Sequence, residues 1–114
     1  MSILNLLFGN NADREVNVDQ VAEALDMHSH TLLDVREQDE WDEARIAGSV
    51  HIPMSHLYHR VKELPQEKPV YVVCHSGSRS LYALNVLEGE GYTDSRSVAG
   101  GIVAWARAGK QLVR

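Results

Sequence analysis

The chain has 114 residues, 44% of them hydrophobic, and eleven basic against sixteen acidic side chains give a formal net charge of -5. This length is sufficient for one compact domain without a metal or disulfide staple, and a single cysteine excludes an intramolecular disulfide. Because the basic residues are scattered among acidic ones, the sequence argues against a nucleic-acid partner. The lack of cysteine pairs favours a reducing compartment, and we expect a cytoplasmic protein.

The N-terminal segment is apolar over residues 3–8. It is far too short to span a bilayer, and it lacks the basic leader and small-residue cleavage site of a secretion signal. We therefore expect no membrane association. Residues 1–15 are interpreted as a short arm of a single domain that covers residues 1–114.

Further along the chain, helix-like segments alternate with short apolar runs. Asp19 is expected to cap a first helix and Ser55 a later one. Strands are predicted at residues 31–35, 49–52, 70–73 and 95–98, and further helices at residues 37–44, 80–90 and 102–108. The alternation predicts an α/β fold with a parallel sheet covered on both faces. In such sheets the reactive crevice lies at the carboxyl ends of the strands.

Cys74, the single cysteine, falls at such a strand end. It follows the apolar run 70–73 and precedes a compact polar loop, His75-Ser76-Gly77-Ser78-Arg79-Ser80. The small loop residues let backbone N–H groups turn inward, and the following helix adds the positive end of its dipole. These surroundings stabilise a thiolate, the nucleophilic form of cysteine. We therefore predict that Cys74 is catalytic, although a lone cysteine without such a loop is usually an inert small hydrophobe.

Residues 75–80 form the predicted substrate-binding set. Arg79 could bind a donor anion, or it could turn back to an acidic residue and brace the loop, and both interpretations stay open. The hydroxyl groups of Ser78 and Ser80 could donate hydrogen bonds to the sulfur or cap the helix, and capping is preferred for Ser80. Asp34 and Arg36, at a neighbouring strand end, are expected to support the loop. We predict neither a metal site nor another cofactor.

Four motifs resemble, in order, those of single-domain rhodanese sulfurtransferases. They are Asp34-Val35-Arg36-Glu37 with Glu40-Trp41, then residues 46–53, residues 72–80 and residues 100–105. The resemblance implies a three-layer domain of about five mostly parallel strands with helices on both faces. It also implies that Cys74 takes a sulfane sulfur from thiosulfate or another persulfide donor and becomes a persulfide. An external thiol, cyanide or a protein acceptor then receives the sulfur, and the backbone amides of residues 76–79 would stabilise its charge.

The sequence departs from the commonest pattern of that family at two positions. His75 stands where many members have arginine, which reduces the fixed charge available to dianionic thiosulfate. Arg45 stands where many have histidine, and we expect it to cap or pair near the acidic segment 37–43.

Two other classes of function stay open. In cysteine phosphatases and arsenate reductases, which have a similar anion loop, five residues separate the cysteine from the arginine. In this chain, four residues separate Cys74 from Arg79. The shorter loop suits a sulfur atom on the cysteine better than a phosphoryl group. A non-catalytic or redox-sensing binding module would instead use the thiol for reversible oxidation.

Overall fold

A computed structural model describes residues 14–114. Five short strands form one sheet: β1 (Glu15–Val16), β2 (Thr31–Asp34), β3 (Val50–His51), β4 (Val70–Val73) and β5 (Ser95–Val98). Their order across the sheet is β1-β5-β4-β2-β3, and every neighbouring pair is parallel. The predicted α/β fold with a parallel sheet is therefore confirmed.

Within residues 14–114, five helices connect and cover these strands. They are α1 (Val18–Met27), α2 (Gln38–Glu43), α3 (Met54–Arg60), α4 (Ser78–Gly89) and α5 (Gly101–Arg107), with a short 3-10 turn at Val61–Glu63. Within the described residues, no helix is long and apolar enough to cross a membrane.

Two apolar clusters lie on opposite faces of the sheet, because successive side chains along a strand point to opposite sides. Helices α3 and α4 cover Leu33 and Val72 on one face, and α1 and α5 cover Leu32 and Val73 on the other. Burial of each such side chain contributes about 1.5–3 kcal/mol. The central strand β4 is therefore fixed from both sides, and its carboxyl end, where the cysteine lies, is held in place.

Two predicted helix caps are wrong. The cap of α1 is Asn17 and not Asp19: the Asn17 side chain accepts from the Gln20 N–H, and the Gln20 side chain accepts from the Asn17 N–H. This reciprocal pair satisfies two free donors at once, which a lone aspartate does not. Helix α3 begins directly after Pro53, so Ser55 lies inside the helix and does not cap it.

The predicted arm lies largely outside the described residues. Glu15, which the prediction placed in the arm, begins β1 and pairs with Ser97 of β5. The Ser97 N–H also donates to the carbonyl oxygen of Arg14 at 2.7 Å. The sheet thus has an edge strand where the sequence pattern predicted none.

Candidate active site

Cys74 directly follows β4, and its side chain is buried, with 1% of its surface exposed. Its Sγ accepts hydrogen bonds from the backbone N–H of Gly77 at 3.1 Å and of Ser80 at 3.3 Å. The N-terminus of the 12-residue α4 adds its positive dipole end to these donors. Such an arrangement stabilises negative charge on the sulfur. Of the four amides named from the sequence, Gly77 donates to Sγ, and Ser80 is a donor that the prediction did not include.

Gly77 makes the tight wrap of the loop possible. Its φ of +110° lies in the left-handed region that residues with a Cβ rarely adopt. A Cβ at this position would also lie 3.4 Å from the Gly100 nitrogen. The loop therefore closes against the turn that precedes α5.

One buried hydroxyl group lies next to the sulfur, and a second is bound to the first. The Ser80 Oγ lies 3.5 Å from Cys74 Sγ, donates to the Gly77 carbonyl oxygen at 3.1 Å, and is hydrogen-bonded to the Ser97 Oγ. Ser80 and Ser97 are both completely buried. The expected capping role of Ser80 is wrong, because α4 begins two residues earlier and Gly77 takes the N-cap position.

Arg79 binds Glu40 of α2. Its two terminal nitrogens donate to the two carboxylate oxygens at 2.9 and 3.0 Å. Of the two open interpretations, this contact is the one expected of a brace. The hydrogen bond from Arg79, with a second from the Glu37 N–H, lowers the pKa of Glu40 to about 2, against the opposing effect of burial. The same bond raises the pKa of Arg79.

Asp34 and Arg36 form a buried ion pair at the carboxyl end of β2. The Arg36 guanidinium donates to the Asp34 carboxylate at 2.8 to 3.0 Å. It also donates to the carbonyl oxygens of Glu40 at 3.2 Å and of Ala44 at 2.7 Å. These contacts hold α2 against the sheet, and they reach the nucleophile loop through the bond between Glu40 and Arg79.

Arg45 lies at the end of α2. Its guanidinium packs over the Trp41 ring, 4.9 Å from the ring centre, and donates to the Trp41 carbonyl oxygen. Its backbone exchanges two hydrogen bonds of 2.8 Å with Val113. The bond to the Trp41 carbonyl oxygen, in the last turn of α2, is the expected cap, and the other contacts are with an aromatic ring and the backbone.

Helix α5 approaches the loop through its first residues. The Ile102 N–H donates to the Cys74 carbonyl oxygen at 2.8 Å, and the Val103 N–H donates to that of His75 at 3.2 Å. A Cβ at Gly101 would lie 2.5 Å from each of these two oxygens. Glycine is therefore required here by close approach, a role that the motif over residues 100–105 did not indicate.

The remaining predicted substrate-binding residues, His75, Ser76 and Ser78, are exposed around the loop. A cavity of about 290 Å³ opens beside His75. The other residues that line it are Arg36, Glu40, Glu43, Ala44, Ile102 and Leu112. The described part of the chain contains no group of three or more His, Cys, Asp or Glu side chains arranged to bind a metal.

Residues 17–108 match the family model of the rhodanese-like domain. The chain belongs to the rhodanese-like family. The match includes the nucleophile loop, the ion-paired helix α2 and the glycine turn before α5, which are the parts of the site described above. The resemblance to single-domain rhodaneses inferred from the four motifs is confirmed.

Several proteins similar to this rhodanese-like chain have names that refer to sulfur transfer, sulfur carriage or rhodanese. A sulfurtransferase of Allochromatium vinosum is 33% identical over 100 residues, which cover 87% of this chain and 94% of the relative. The putative sulfur carrier protein YrkF of Bacillus subtilis is 34% identical over 92 residues, 80% of this chain, and the chain spans about half, 50%, of its length. A crystal structure of a rhodanese-related protein from Thermoplasma volcanium has 35% identity and a TM-score of 0.80, and the match covers 88% and 97% of the two chains. At the level of the family, these relatives support sulfur transfer.

Proposed function

We propose that this rhodanese-like chain transfers a sulfane sulfur through a persulfide on Cys74. The observation that carries the proposal is the cysteine sulfur that accepts two backbone N–H groups at the start of α4. A thiolate stabilised in this way is a nucleophile that needs no adjacent base. Thiosulfate or another persulfide donor supplies the sulfur. Because the chain has one cysteine, an external thiol, cyanide or a protein must accept it.

The reaction proceeds in two balanced half-reactions. In the first, the Cys74 thiolate attacks the outer sulfur of thiosulfate, a new S–S bond forms, and sulfite leaves with the electron pair of the broken bond. In the second, cyanide attacks the terminal sulfur, the S–S bond breaks, and its electron pair returns to Cys74 as thiocyanate leaves. The N–H groups of Gly77 and Ser80 stabilise the sulfur as attacking group and then as leaving group.

The geometry disfavours a phosphatase. That reaction needs an arginine to bind the phosphoryl oxygens, and both terminal nitrogens of Arg79 are already bound to Glu40. The donors around Cys74 that the structure describes are backbone N–H groups directed at Sγ itself. They suit a sulfur atom held on the cysteine.

Intact-mass measurement after thiosulfate treatment tests the proposal. We expect the protein to gain one sulfur atom and to lose it on addition of cyanide, with formation of an equal amount of thiocyanate. The Cys74→Ser variant should gain no sulfur and should fold normally, since serine is nearly isosteric with cysteine and far less ionised. Sulfur transfer retained by this variant would contradict the assignment.

Two further outcomes point to the alternatives. A wild-type protein that takes up oxygen from peroxide but never sulfur from a donor would favour the redox-sensing module. Hydrolysis of an aryl phosphate that depends on Cys74 would favour the phosphatase.

A further inference from the structure

We infer that Ser97 is a positioning residue for sulfur transfer: its hydroxyl donates to Ser80 and so orients and polarises the Ser80 hydroxyl that faces the Cys74 sulfur. The inference rests on the proposed function and assigns a role to a residue outside the nucleophile loop. Ser97 lies on β5, opposite Val72 in the register with β4. It thus reaches the Ser80 hydroxyl from a neighbouring strand.

The three side chains form a buried series. The Ser97 Oγ is hydrogen-bonded to the Ser80 Oγ, which lies 3.5 Å from Cys74 Sγ. Ser80 and Ser97 are completely buried, and Cys74 is 1% exposed. Within residues 14–114, the Ser80 Oγ is the one hydrogen-bond partner of the Ser97 Oγ.

The number of protons fixes the direction of these bonds. A serine hydroxyl donates one hydrogen bond and accepts up to two, and a buried donor left without an acceptor is costly. The Ser97 proton is satisfied when it is donated to Ser80. The single Ser80 proton then goes to another acceptor, either the Gly77 carbonyl oxygen at 3.1 Å or the Cys74 sulfur.

The choice between these two acceptors follows the state of the sulfur. A Cys74 thiol donates to the Ser80 oxygen, while Ser80 donates to the Gly77 carbonyl oxygen. A thiolate can only accept, and rotation of the Ser80 hydroxyl then gives it a third donor beside the two backbone N–H groups. Neither serine transfers its proton to the sulfur. The thiolate is the attacking group of the first half-reaction and the leaving group of the second, so Ser97 acts on both.

The same strand supplies a matched control. Ser95 lies two residues before Ser97 on β5, and its Oγ is buried with no hydrogen-bond partner among the described residues. Ser95→Ala therefore removes a hydroxyl of the same type, from the same strand, that takes no part in the series.

Two rates are measured on the folded full chain: alkylation of Cys74 by iodoacetamide and turnover at saturating thiosulfate and cyanide. Because donation from Ser97 polarises the Ser80 hydroxyl and strengthens the bond that it makes to the thiolate, we expect Ser97→Ala and Ser97→Val to lower both rates about fourfold, or about 0.8 kcal/mol. Ser97→Thr and Ser95→Ala should stay within about twofold of wild type. Threonine and valine have the same shape and differ by the hydroxyl, so a purely packing role would affect both variants equally.

A double variant tests the route through Ser80. If Ser97 acts only through that hydroxyl, Ser97→Ala should cause no further loss of either rate in a Ser80→Ala background. Equal rates for the threonine and valine variants would overturn the inference, and so would a Ser97→Ala loss of the same factor with and without the Ser80 hydroxyl. The threonine and valine pair decides the question even if Ser80→Ala does not fold. Alkylation requires no sulfur donor, so it tests Ser97 even if wild-type turnover, and with it the proposed function, fails.

Discussion

The two sides of the nucleophile loop use different interactions. On the inner side, two uncharged backbone N–H groups and the Ser80 hydroxyl contact the buried Cys74 sulfur. On the outer side, the charged side chains of Arg79 and Glu40 bind each other while 35% and 27% exposed. Moving a full charge into the interior carries a large desolvation cost, whereas N–H dipoles are already part of the backbone. The comparison shows that neutral donors face the sulfur, while the arginine of the loop is paired at the rim.

The largest expected effect comes from disturbing the inner side at Gly101. Alanine there should lower the free energy of unfolding by about 3 kcal/mol or more, because its Cβ would overlap two loop carbonyl oxygens and its φ of +59° is strained. Gly109→Ala is the control, since its φ is +76° but no atom lies within 4 Å of the added Cβ. Strain alone should cost this control about 1 kcal/mol. Urea denaturation measures both, and equal losses would show that the close approach is unimportant.

The outer side can be given an additional charge at the exposed His75. His75→Arg should raise kcat/KM for thiosulfate about tenfold if its contact with the dianion is worth about 1.4 kcal/mol. The gain should shrink at high salt, because screening weakens attraction between exposed charges. His59→Arg, at another exposed histidine on α3, is the control. If His75→Arg has no higher kcat/KM for thiosulfate than wild type at low salt, residue 75 does not contact the donor.

The pair between Arg79 and Glu40 can be broken from either side. We expect Arg79→Ala and Glu40→Gln each to lower the free energy of unfolding by about 1 kcal/mol, with a parallel loss of turnover, because both remove the same partly exposed pair. Glutamine at position 40 can still accept the capping bond from the Glu37 N–H. Glu43→Gln is the control on the same helix.

The opposite result would assign Arg79 to donor binding. In that case Arg79→Ala would raise the KM for thiosulfate without loss of stability, and Glu40→Gln would lower that KM by freeing the guanidinium. Steady-state kinetics and thermal melts of the same preparations separate the two roles.

The smallest expected effect is a loss of folding stability when the pH is lowered. The folded-state pKa of Glu40 is about 2, below its ordinary value of 4.5, so the pair stabilises the fold fully above about pH 5 and loses this contribution as pH falls toward about 2. The stability difference between wild type and Glu40→Gln, about 1 kcal/mol after allowance for exposure, should therefore shrink across that range. Denaturation curves at several pH values measure it, and a difference unchanged near pH 2 would contradict the assignment.

The parts of the structure that were predictable are local in the sequence. The strand Ser95–Val98 and the order of strand, Cys74, loop and helix follow from patterns within a few residues. The two-residue strand β1 is too short to show an alternating pattern, so pairing with β5 alone defines it. Helix α4 begins before Ser80 because Gly77 supplies the left-handed N-cap conformation, which composition alone did not indicate.

The missed site residues all come from other elements. Glu40 lies 39 positions from Arg79, and Ser97 lies 17 positions from Ser80. Their roles depend on which strands and helices are neighbours in space. A signal for Ser97 existed, since a small polar residue in a strand beside the cysteine strand invites a search for a buried partner.

The contacts of α5 have a consequence for peptide orientation. Each peptide unit that offers an N–H on one side has a carbonyl oxygen on the other, and the lone pairs of that oxygen repel an anion as the N–H attracts it. The carbonyl oxygens of Cys74 and His75 are both bound by the N–H groups of Ile102 and Val103. These bonds hold the two oxygens in place and so oppose a flip of either peptide plane. The planes held in this way directly precede the peptide whose Gly77 N–H donates to Sγ. Loosening α5 would therefore do more than widen the loop, because that next plane could then rotate and turn its carbonyl oxygen, in place of the Gly77 N–H, toward the sulfur.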